Sequence, residues 1–414
     1  MSTLGEKIRA KGDEYEDAMI KFLQDLIAIP SVSCEEEEVV ERIKEELHEL
    51  DYDDVFTDEM GNVFGRIGDG ERKIAIDAHI DTVAVTDPEA WDVDPYGGEV
   101  IDGDIYGRGS TDQTSGFVSA AYGGRILMDL DLLPDDISLY IVGTVQEEDN
   151  DGMCWDYIIS EDVLRPEAVV ITEPTELDVK RGHRGRMEMQ IDTHGRSCHG
   201  SAPERGDNAI YKMGPLVKEI ETLNEELKDH DFLGKGTIVL SQIWSRGPSQ
   251  CAVPDKCSVY LDRRLTEGET MESSLEEIRS LPSFEADVHE VHVPTYCRPS
   301  WTGFEYEFLK YYPTWCLDED HPVIQSGVEA YKHAFEEDPF VTNWTFSTNG
   351  VTIAGKHGIP CVGFGPGIEE YAHAPNERVP VEQLVGAAEF FAAWPKGYVD
   401  STPTAVGMDA EPVS

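Results

Sequence analysis

The sequence has little positive charge. Among its 414 residues, 33 are Lys or Arg and 83 are Asp or Glu, which gives a formal net charge of −50. A negative field of this strength repels nucleic acid and anionic membrane surfaces, so neither is expected as a partner. The acidic residues are spread along the chain, which is typical of the acidic surface of halophilic proteins and favours a source that lives at high salt.

The sequence also lacks a cysteine framework and a long apolar run. It has eight cysteines but no CxxC pair, which favours reduced structural thiols. No segment approaches the roughly 18 apolar residues of a membrane span, and the first residues contain no apolar signal core. We therefore expect a soluble, cytoplasmic protein.

The hydrophobic pattern that is present predicts an α/β fold. Apolar runs typical of strands alternate with segments of helical periodicity, which favours a mixed, mostly parallel sheet flanked by helices. The clearest helical segments are 14–29, 37–50, 116–130, 208–228 and 323–336. Near residue 182 the pattern changes to alternating strands. The α/β pattern of the first segment resumes after residue 298. The predicted segments are one domain formed by 1–181 and 299–400, an α+β domain inserted at 182–298, and a flexible tail at 401–414.

Residues that can bind metal follow several of the predicted strands. His79 and Asp81 close the strand at 73–78 and face the same side, so the carboxylate can fix the tautomer of a ligating imidazole. Taken alone, they are equally well explained as a satisfied polar pair at a strand end. Glu147 and Glu148 follow another strand, where one can bind metal while the other accepts a proton from water. Taken alone, they fit an exposed acidic loop.

Three more residues complete the set. Asp112 lies in a glycine-dense loop before a predicted helix, Glu173 follows a strand, and His373 follows a glycine-rich segment. With His79 and Glu148, they place two imidazoles and three carboxylates at strand ends of one sheet. Two zinc ions and a bridging hydroxide would neutralise the three carboxylates. The ligand set suits zinc, with cobalt or manganese as alternatives.

The order of these motifs resembles a known family. His79-x-Asp, Gly107-Arg-Gly-x-x-Asp112, Glu147-Glu148, Glu173-Pro-Thr and Ala372-His-Ala-Pro375 occur in the order found in the acetylornithine deacetylase, succinyl-diaminopimelate desuccinylase and carboxypeptidase G family of di-zinc hydrolases. The resemblance covers nearly the whole chain. It is closest to the selenium-metabolism-linked hydrolase branch, through the segments 149–155, 197–209, 298–302 and 344–351.

The resemblance implies a role for each ligand. His79 and Glu173 would hold one zinc ion, Glu148 and His373 would hold the other, and Asp112 would bridge the two. The peptide bond that follows Asp112 would be cis. Two zinc ions per subunit are therefore the expected cofactors.

The resemblance also implies catalytic roles. Glu147 would be the general base and later the acid for the leaving amine, while Asp81 would orient His79. The inserted domain would be a lid that pairs two subunits into a homodimer. Its His199 would reach the partner subunit's site to stabilise the oxyanion. Without the resemblance, His199 is more simply an ordinary strand-end histidine.

Substrate contacts follow from the same resemblance. Asn208 and Arg264 fall where the family contacts the end of its substrate, and Arg264 suits a carboxylate. Without the resemblance, Arg264 is a surface charge. Two segments depart from the family pattern. The segment Asp112-Gln-Thr-Ser-Gly116 lacks the usual lysine. The segment Ser347-Thr-Asn-Gly-Val351 stands where the family has a Gly-Gly-Thr-Ser-Asp-Ala-Arg loop that contacts the substrate, so Asn349 is the expected contact here. These departures leave the metal chemistry intact and the substrate open.

The sequence therefore predicts a metal-dependent amidohydrolase. It would cleave an amide bond in a small N-acyl amino acid or related derivative through a zinc-bridging hydroxide. A dipeptidase or carboxypeptidase on the same site is the first alternative. A non-catalytic binding protein on this scaffold would lack a ligand or the base, and none is missing. A phosphate-binding loop at Gly107–Gly116 would need a Lys-Ser/Thr pair that does not follow it.

The acidic surface makes a prediction about salt. If the charge reflects adaptation to high salt, the activity and the free energy of unfolding will both rise as KCl is added, because salt screens the repulsion among like charges. Activity assays and urea unfolding across a KCl titration measure both quantities. Full activity and stability at low salt would count against this hypothesis.

Overall fold

The structure, a computed structural model, describes residues 2–402; the tail predicted at 401–414 falls outside the described residues from 403 onwards. Within 2–402 there are nine α-helices: α1 (Leu4–Ile27), α2 (Glu37–Glu49), α3 (Thr114–Asp129), α4 (Met153–Ser160), α5 (Ala209–Glu226), α6 (Met271–Arg279), α7 (Pro322–Phe335), α8 (Gly350–Ile353) and α9 (Val381–Ser401). The strands are β1 (Asp54–Thr57), β2 (Val63–Ile67), β3 (Arg72–His79), β4 (Val100–Ile101), β5 (Asp104–Tyr106), β6 (Ile137–Thr144), β7 (Ala168–Ile171), β8 (Val179–His183), β9 (Gly185–His194), β10 (Thr237–Arg246), β11 (Lys256–Leu265), β12 (His289–His292), β13 (Thr295–Tyr296), β14 (Phe308–Leu309), β15 (Tyr311–Tyr312), β16 (Trp315–Cys316), β17 (Val341–Trp344), β18 (Cys361–Gly363) and β19 (Arg378–Pro380).

A nine-stranded sheet forms the centre of the larger domain. Its strand order is β1-β2-β6-β3-β7-β18-β8-β16, with β17 beside β8. The central strands β6, β3, β7 and β18 run parallel, while β1, β2 and β16 pair antiparallel at the edges. Helices α1, α3, α7 and α9 pack against one another, and α3 and α7 also contact strands of this sheet. The predicted mixed, mainly parallel α/β fold is confirmed.

Burial explains why the central strands are continuously apolar. All four residues of β7 and the last six residues of β3 are buried, because both faces of the sheet are covered there. Helix α9 has no counterpart in the sequence prediction. It contains Gly386 and Pro395, which are unfavourable inside helices, yet its residues from Leu384 to Pro395 are all buried. Tertiary packing outweighs local propensity in this segment.

The smaller domain has its own sheet and its own core. Its antiparallel strands follow the order β10-β11-β9-β12, with β15 also pairing with β9. Helices α5 and α6 contact this sheet, and a hydrophobic cluster separate from the main core runs from Met187 to Val291. Strand β8 before it belongs to the central sheet, and β15 comes from beyond residue 298.

The four central parallel strands, β3, β6, β7 and β18, all end at one edge of the central sheet, and a loop starts from each of these ends. His79 at the end of β3 pairs with Thr144 at the end of β6. Ile171 at the end of β7 pairs with Asp77 of β3 and with Gly363 of β18. The loops that follow these strands therefore begin side by side, at the edge where open α/β sheets build their sites.

Residues 2–402 contain neither a membrane-spanning helix nor a disulfide bond. None of the helices there is both long enough and apolar enough to cross a bilayer. The eight cysteines all lie in this range, and none forms a disulfide with another described residue. Burial raises the pKa of the Cys154 and Cys361 thiols well above its usual value, which keeps these side chains protonated and inert.

Candidate metal centre

Five side chains of the metal-ligand type meet at this edge of the sheet. Each comes from a different segment: His79 ends β3, Asp112 precedes α3, Glu148 follows β6, Glu173 follows β7, and His373 lies in the loop after β18. His79 and Glu173 are almost fully buried, whereas the His373 side chain is half exposed. The five ligands predicted from sequence are therefore brought together in one place.

Asp112 contacts both histidines. Its Oδ1 lies 3.0 Å from His79 Nε2, and its Oδ2 lies 3.1 Å from His373 Nε2. Two groups of ligand atoms result, each with all its atoms within 4.8 Å of one another: His79, Asp112 and Glu173 in one, and Asp112, Glu148 and His373 in the other. This is the division that the family resemblance implies.

The electrostatics of the cluster fit divalent cations. Burial raises the pKa of Glu173 well above its usual value, and burial together with the Asp112 charge raises that of Glu148 to about 7. Hydrogen bonds to Asp112 and Glu148 raise the pKa of His373 to about 10. Carboxylates crowded in a buried site ionise together only when positive charge lies between them. The oxygen and imidazole donors match what zinc binds in proteins.

Glu147 lies beside the ligands without belonging to either group. Its Oε2 is 4.0 Å from His79 Nε2, and its buried Oε1 has no hydrogen-bond partner among residues 2–402. Burial raises the pKa of Glu147 well above its usual value, and the charges of Asp151 and Glu173 add to the effect. A carboxyl group with a free oxygen and a raised pKa is suited to accept and return a proton.

Asp81 contacts more than the histidine it was predicted to orient. The Nδ1 of His79 bonds the backbone carbonyl of Asp81 at 2.9 Å, whereas the Asp81 carboxylate is 3.7 Å from that atom. The carboxylate instead accepts hydrogen bonds from the backbone N–H groups of Glu147 and Glu148 and from the hydroxyl of Ser33. The carboxylate therefore fixes the loop that carries the base, while the backbone carbonyl of Asp81, and not its carboxylate, makes the hydrogen bond to the His79 ring.

Glu377 is a functional residue that sequence reasoning missed. Its buried carboxylate accepts hydrogen bonds from the backbone N–H groups of Thr111 at 2.9 Å and Asp112 at 3.0 Å, and from Arg108 Nη1 at 2.5 Å. It thus fixes the loop that holds Asp112, the ligand shared by the two groups. The peptide bond between Asp112 and Gln113 is cis, as the resemblance implies. The sequence offered one signal for this role: Glu377 lies only four residues after the predicted ligand His373.

The cleft above the ligands has a volume of about 360 Å³ and contains two arginines. Arg264 of β11 and Arg186 of β9 are direct cross-strand partners, and both line the cleft. Arg264 is paired with Asp262 at 2.9 Å, and Arg186 with Asp151 at 3.0 Å. The two arginines lie side by side, so an anionic substrate group in the cleft would meet both guanidinium groups. Arg186 was not anticipated from the sequence.

The three remaining predicted residues lie away from this cleft. Asn349 is buried below it, where its Nδ2 donates to Asp77 at 3.0 Å and its Oδ1 accepts from Gly152 N at 2.9 Å. His199 and Asn208 line a second cavity of about 820 Å³ in the smaller domain. Within the described part of the chain, the residues that line this cavity are all different from those that line the metal cleft.

The comparison with protein families agrees with the site. Residues 75–396 match peptidase family M20/M25/M40, and the chain belongs to this family. The predicted class, a hydrolase that acts on amide or peptide C–N bonds, is thereby confirmed, as is the predicted family resemblance.

Individual relatives show how far the similarity extends. The chain is 52% identical over 392 residues to the uncharacterized protein YgeY of Escherichia coli, covering 95% of this chain and 97% of that protein. It is 27% identical over 281 residues to a succinyl-diaminopimelate desuccinylase of Rhodospirillum centenum, covering 63% of this chain and 71% of that one. Among solved structures, the YXEP protein of Bacillus subtilis, described as a dinuclear metal binding peptidase from the M20 family, has a TM-score of 0.69 at 15% identity and covers 94% of this chain and 100% of its own. That likeness supports the fold.

Removing the Glu377 charge should weaken metal binding. In Glu377→Gln, the side chain can no longer accept from both backbone N–H groups and Arg108 at full strength, so we expect a roughly 10–100-fold lower metal affinity. Competition with a chromophoric chelator measures the affinity, and circular dichroism checks the fold. Glu389→Gln is a matched control, because burial raises the pKa of both Glu377 and Glu389 to about 7, but Glu389 packs against Gly12, away from the metal ligands. Equal affinities in wild type and Glu377→Gln would contradict the positioning role.

Proposed function

We propose that the protein is a dinuclear metal amidohydrolase that cleaves an amide bond in a small N-acyl amino acid or a related amino-acid derivative. The observation that carries the proposal is the shared Asp112, which belongs to both groups of ligand atoms. Glu147 lies next to these groups with one free carboxylate oxygen. A binding protein without catalysis would not need a non-ligating base beside the metal ligands.

The proposed cofactors are two zinc ions, with cobalt or manganese as alternatives. His79, Asp112 and Glu173 would hold one ion, and Asp112, Glu148 and His373 would hold the other. When bound, such ions polarise the carbonyl of the substrate and lower the pKa of the attacking water.

Glu147 is the proposed general base. It would accept a proton from the attacking water and later deliver it to the nitrogen of the leaving amine. The pKa of its carboxyl group, raised by burial, favours holding that proton between the two steps. Hydrogen bonds from the backbone of Glu147 and Glu148 to Asp81 keep the base in place.

The two cleft arginines support a substrate with a carboxylate. Arg264 donates from Nε and Nη2 to Asp262, and its remaining N–H groups can donate to a substrate carboxylate, with Arg186 directly beside it. An N-acyl amino acid carries such a carboxylate. The desuccinylase relative supports this class as well, because a succinyl amide is an N-acyl group.

A dipeptidase or carboxypeptidase is the second candidate. Glu369 lines the cleft on the side of Ala372 and His373, where its negative charge would suit the free α-amino group of a dipeptide. The same metal ligands and the same base would serve that reaction. The two candidates therefore differ only in the group that the cleft holds on the acyl side of the scissile bond.

A substrate panel tests the proposed function. The zinc-loaded protein should hydrolyse at least one N-acyl amino acid from a panel of these compounds and dipeptides. Glu147→Ala should lower kcat roughly 10²–10⁴-fold, because the proton acceptor is lost, while both metal ions stay bound. Glu382→Ala, an exposed residue of α9, is the control that keeps full activity. Wild type that binds two zinc ions and hydrolyses nothing, or undiminished activity in Glu147→Ala, would refute the proposal.

We also propose that the inserted domain pairs two copies of this chain. Among the described residues, β10 has a neighbouring strand on one side only, and it exposes Val239, Ile243 and Trp244 by 54%, 57% and 42%. An exposed apolar edge strand of this kind favours pairing with another strand. A second copy is the occupant that would also bring His199 to a metal cleft, since His199 lines a separate cavity of its own subunit.

Mixed dimers test this arrangement. Glu147→Ala and His199→Gln should each be nearly inactive alone, but a dimer with one subunit of each has one site with both groups intact. Equal mixing should restore roughly a quarter of the wild-type activity, if subunits exchange at random in a closed two-fold dimer. Native mass spectrometry confirms that mixed dimers form. Mixed dimers without activity, or a monomer with full activity, would contradict the role of His199 in trans.

A further inference from the structure

A tight turn anchors the backbone around His199. The N–H of Ala202 donates to the carbonyl of His199 at 2.9 Å, which closes the turn. On either side, the N–H of Gly200 donates to the Cys251 carbonyl and the N–H of Val253 donates to the Cys198 carbonyl, both at 2.9 Å. The position of His199 is therefore set by its own backbone and not by its side chain.

Within this turn, Ser201 contacts the imidazole of His199. Its backbone N–H donates to His199 Nδ1 at 3.1 Å, and its hydroxyl lies 2.7 Å from the same atom. A side chain that accepts from the N–H two residues later is the geometry of an Asx turn. A backbone N–H can only donate, so Nδ1 must be the acceptor, and the neutral ring carries its proton on Nε2.

We infer that Ser201 is a positioning residue that holds His199 as the Nε2–H tautomer, so that Nε2 donates a hydrogen bond to the oxyanion that develops in the partner subunit's site. The inference rests on the proposed function, in which His199 acts in trans. The opposite tautomer would direct a lone pair at the oxyanion and repel it.

The surroundings of Nε2 agree with this role. His199 is exposed and lines the cavity of about 820 Å³, and its Nε2 makes no hydrogen bond within residues 2–402. One ring nitrogen is thus held by two groups of the same serine, while the other is directed away from that contact and is free to donate. This is the arrangement that an oxyanion donor requires: an oriented N–H without a competing acceptor.

Nitrogen NMR of the full-length, zinc-loaded protein tests the tautomer directly. With ¹⁵N-labelled histidine and His199→Gln for assignment, we expect a protonated Nε2 and an unprotonated Nδ1 in wild type. Ser201→Ala should shift the Nδ1 resonance and lower kcat about three- to tenfold with little change in KM, because one hydrogen bond is lost. Ser201→Thr keeps the hydroxyl group and should therefore show the wild-type Nδ1 resonance and the wild-type kcat. Ser201 is exposed, so the fold should be unaffected, and the exposed Ser249→Ala is the nearby control.

The outcomes separate this inference from the proposed function. A protonated Nδ1 in wild type, or Ser201→Ala with unchanged kcat and unchanged Nδ1 resonance, would overturn the role of Ser201 alone, provided that His199→Gln lowers kcat roughly 10²–10³-fold. Unchanged kcat in His199→Gln would overturn the trans role of His199 and, with it, the inference.

Discussion

The carboxylate of Asp112 touches two histidines at once, and the rest of the site is arranged around this contact. One oxygen lies 3.0 Å from His79 and the other 3.1 Å from His373, so the two groups of ligands cannot move independently. Burial raises the pKa of Glu147 and Glu173 well above the usual range, and repulsion from the surrounding carboxylates adds to the effect. Cations between them would relieve this repulsion, so metal binding and the integrity of the site are coupled.

Two further carboxylates hold the loops that carry these groups. Asp81 accepts from the backbone of Glu147 and Glu148, and Glu377 accepts from the backbone of Asp112. Both are fully buried and negatively charged when ionised, so they orient the ligand loops and also add to the negative potential at the site. The protein thus positions its ligands through backbone hydrogen bonds to acidic side chains, in addition to the central sheet.

The proposed dimer would assign metal binding and oxyanion stabilisation to different domains. The five ligands and Glu147 belong to the domain of the central sheet, and the smaller domain contributes Arg186 and Arg264 to the cleft. His199 lies in a different cavity of that smaller domain. In the proposed dimer, the partner subunit's His199 would reach the metal cleft with its tautomer already set by its own turn.

The residue types and the order of the metal ligands could be read from the sequence, because strand ends of a parallel sheet meet at one edge. Helices with a strong apolar period were also predictable: the segments 37–50 and 208–228 correspond to α2 (Glu37–Glu49) and α5 (Ala209–Glu226). Helix α9, with an internal glycine and proline, was not, because its stability comes from burial against other helices.

The finer roles depended on contacts between distant parts of the chain. Asn349 was predicted to contact substrate, but it bonds Asp77, which is 272 residues away, and no local pattern reports such a contact. Asn208 caps α5 through hydrogen bonds from Ile210 and Tyr211. The sequence by itself determined which chemistry is available, because ligand types and strand ends are local properties. Only the tertiary structure decided which carboxylates lie together in a candidate metal group, which ones position a loop and which histidine lies outside the cleft, because these arrangements are set by distances that the fold creates.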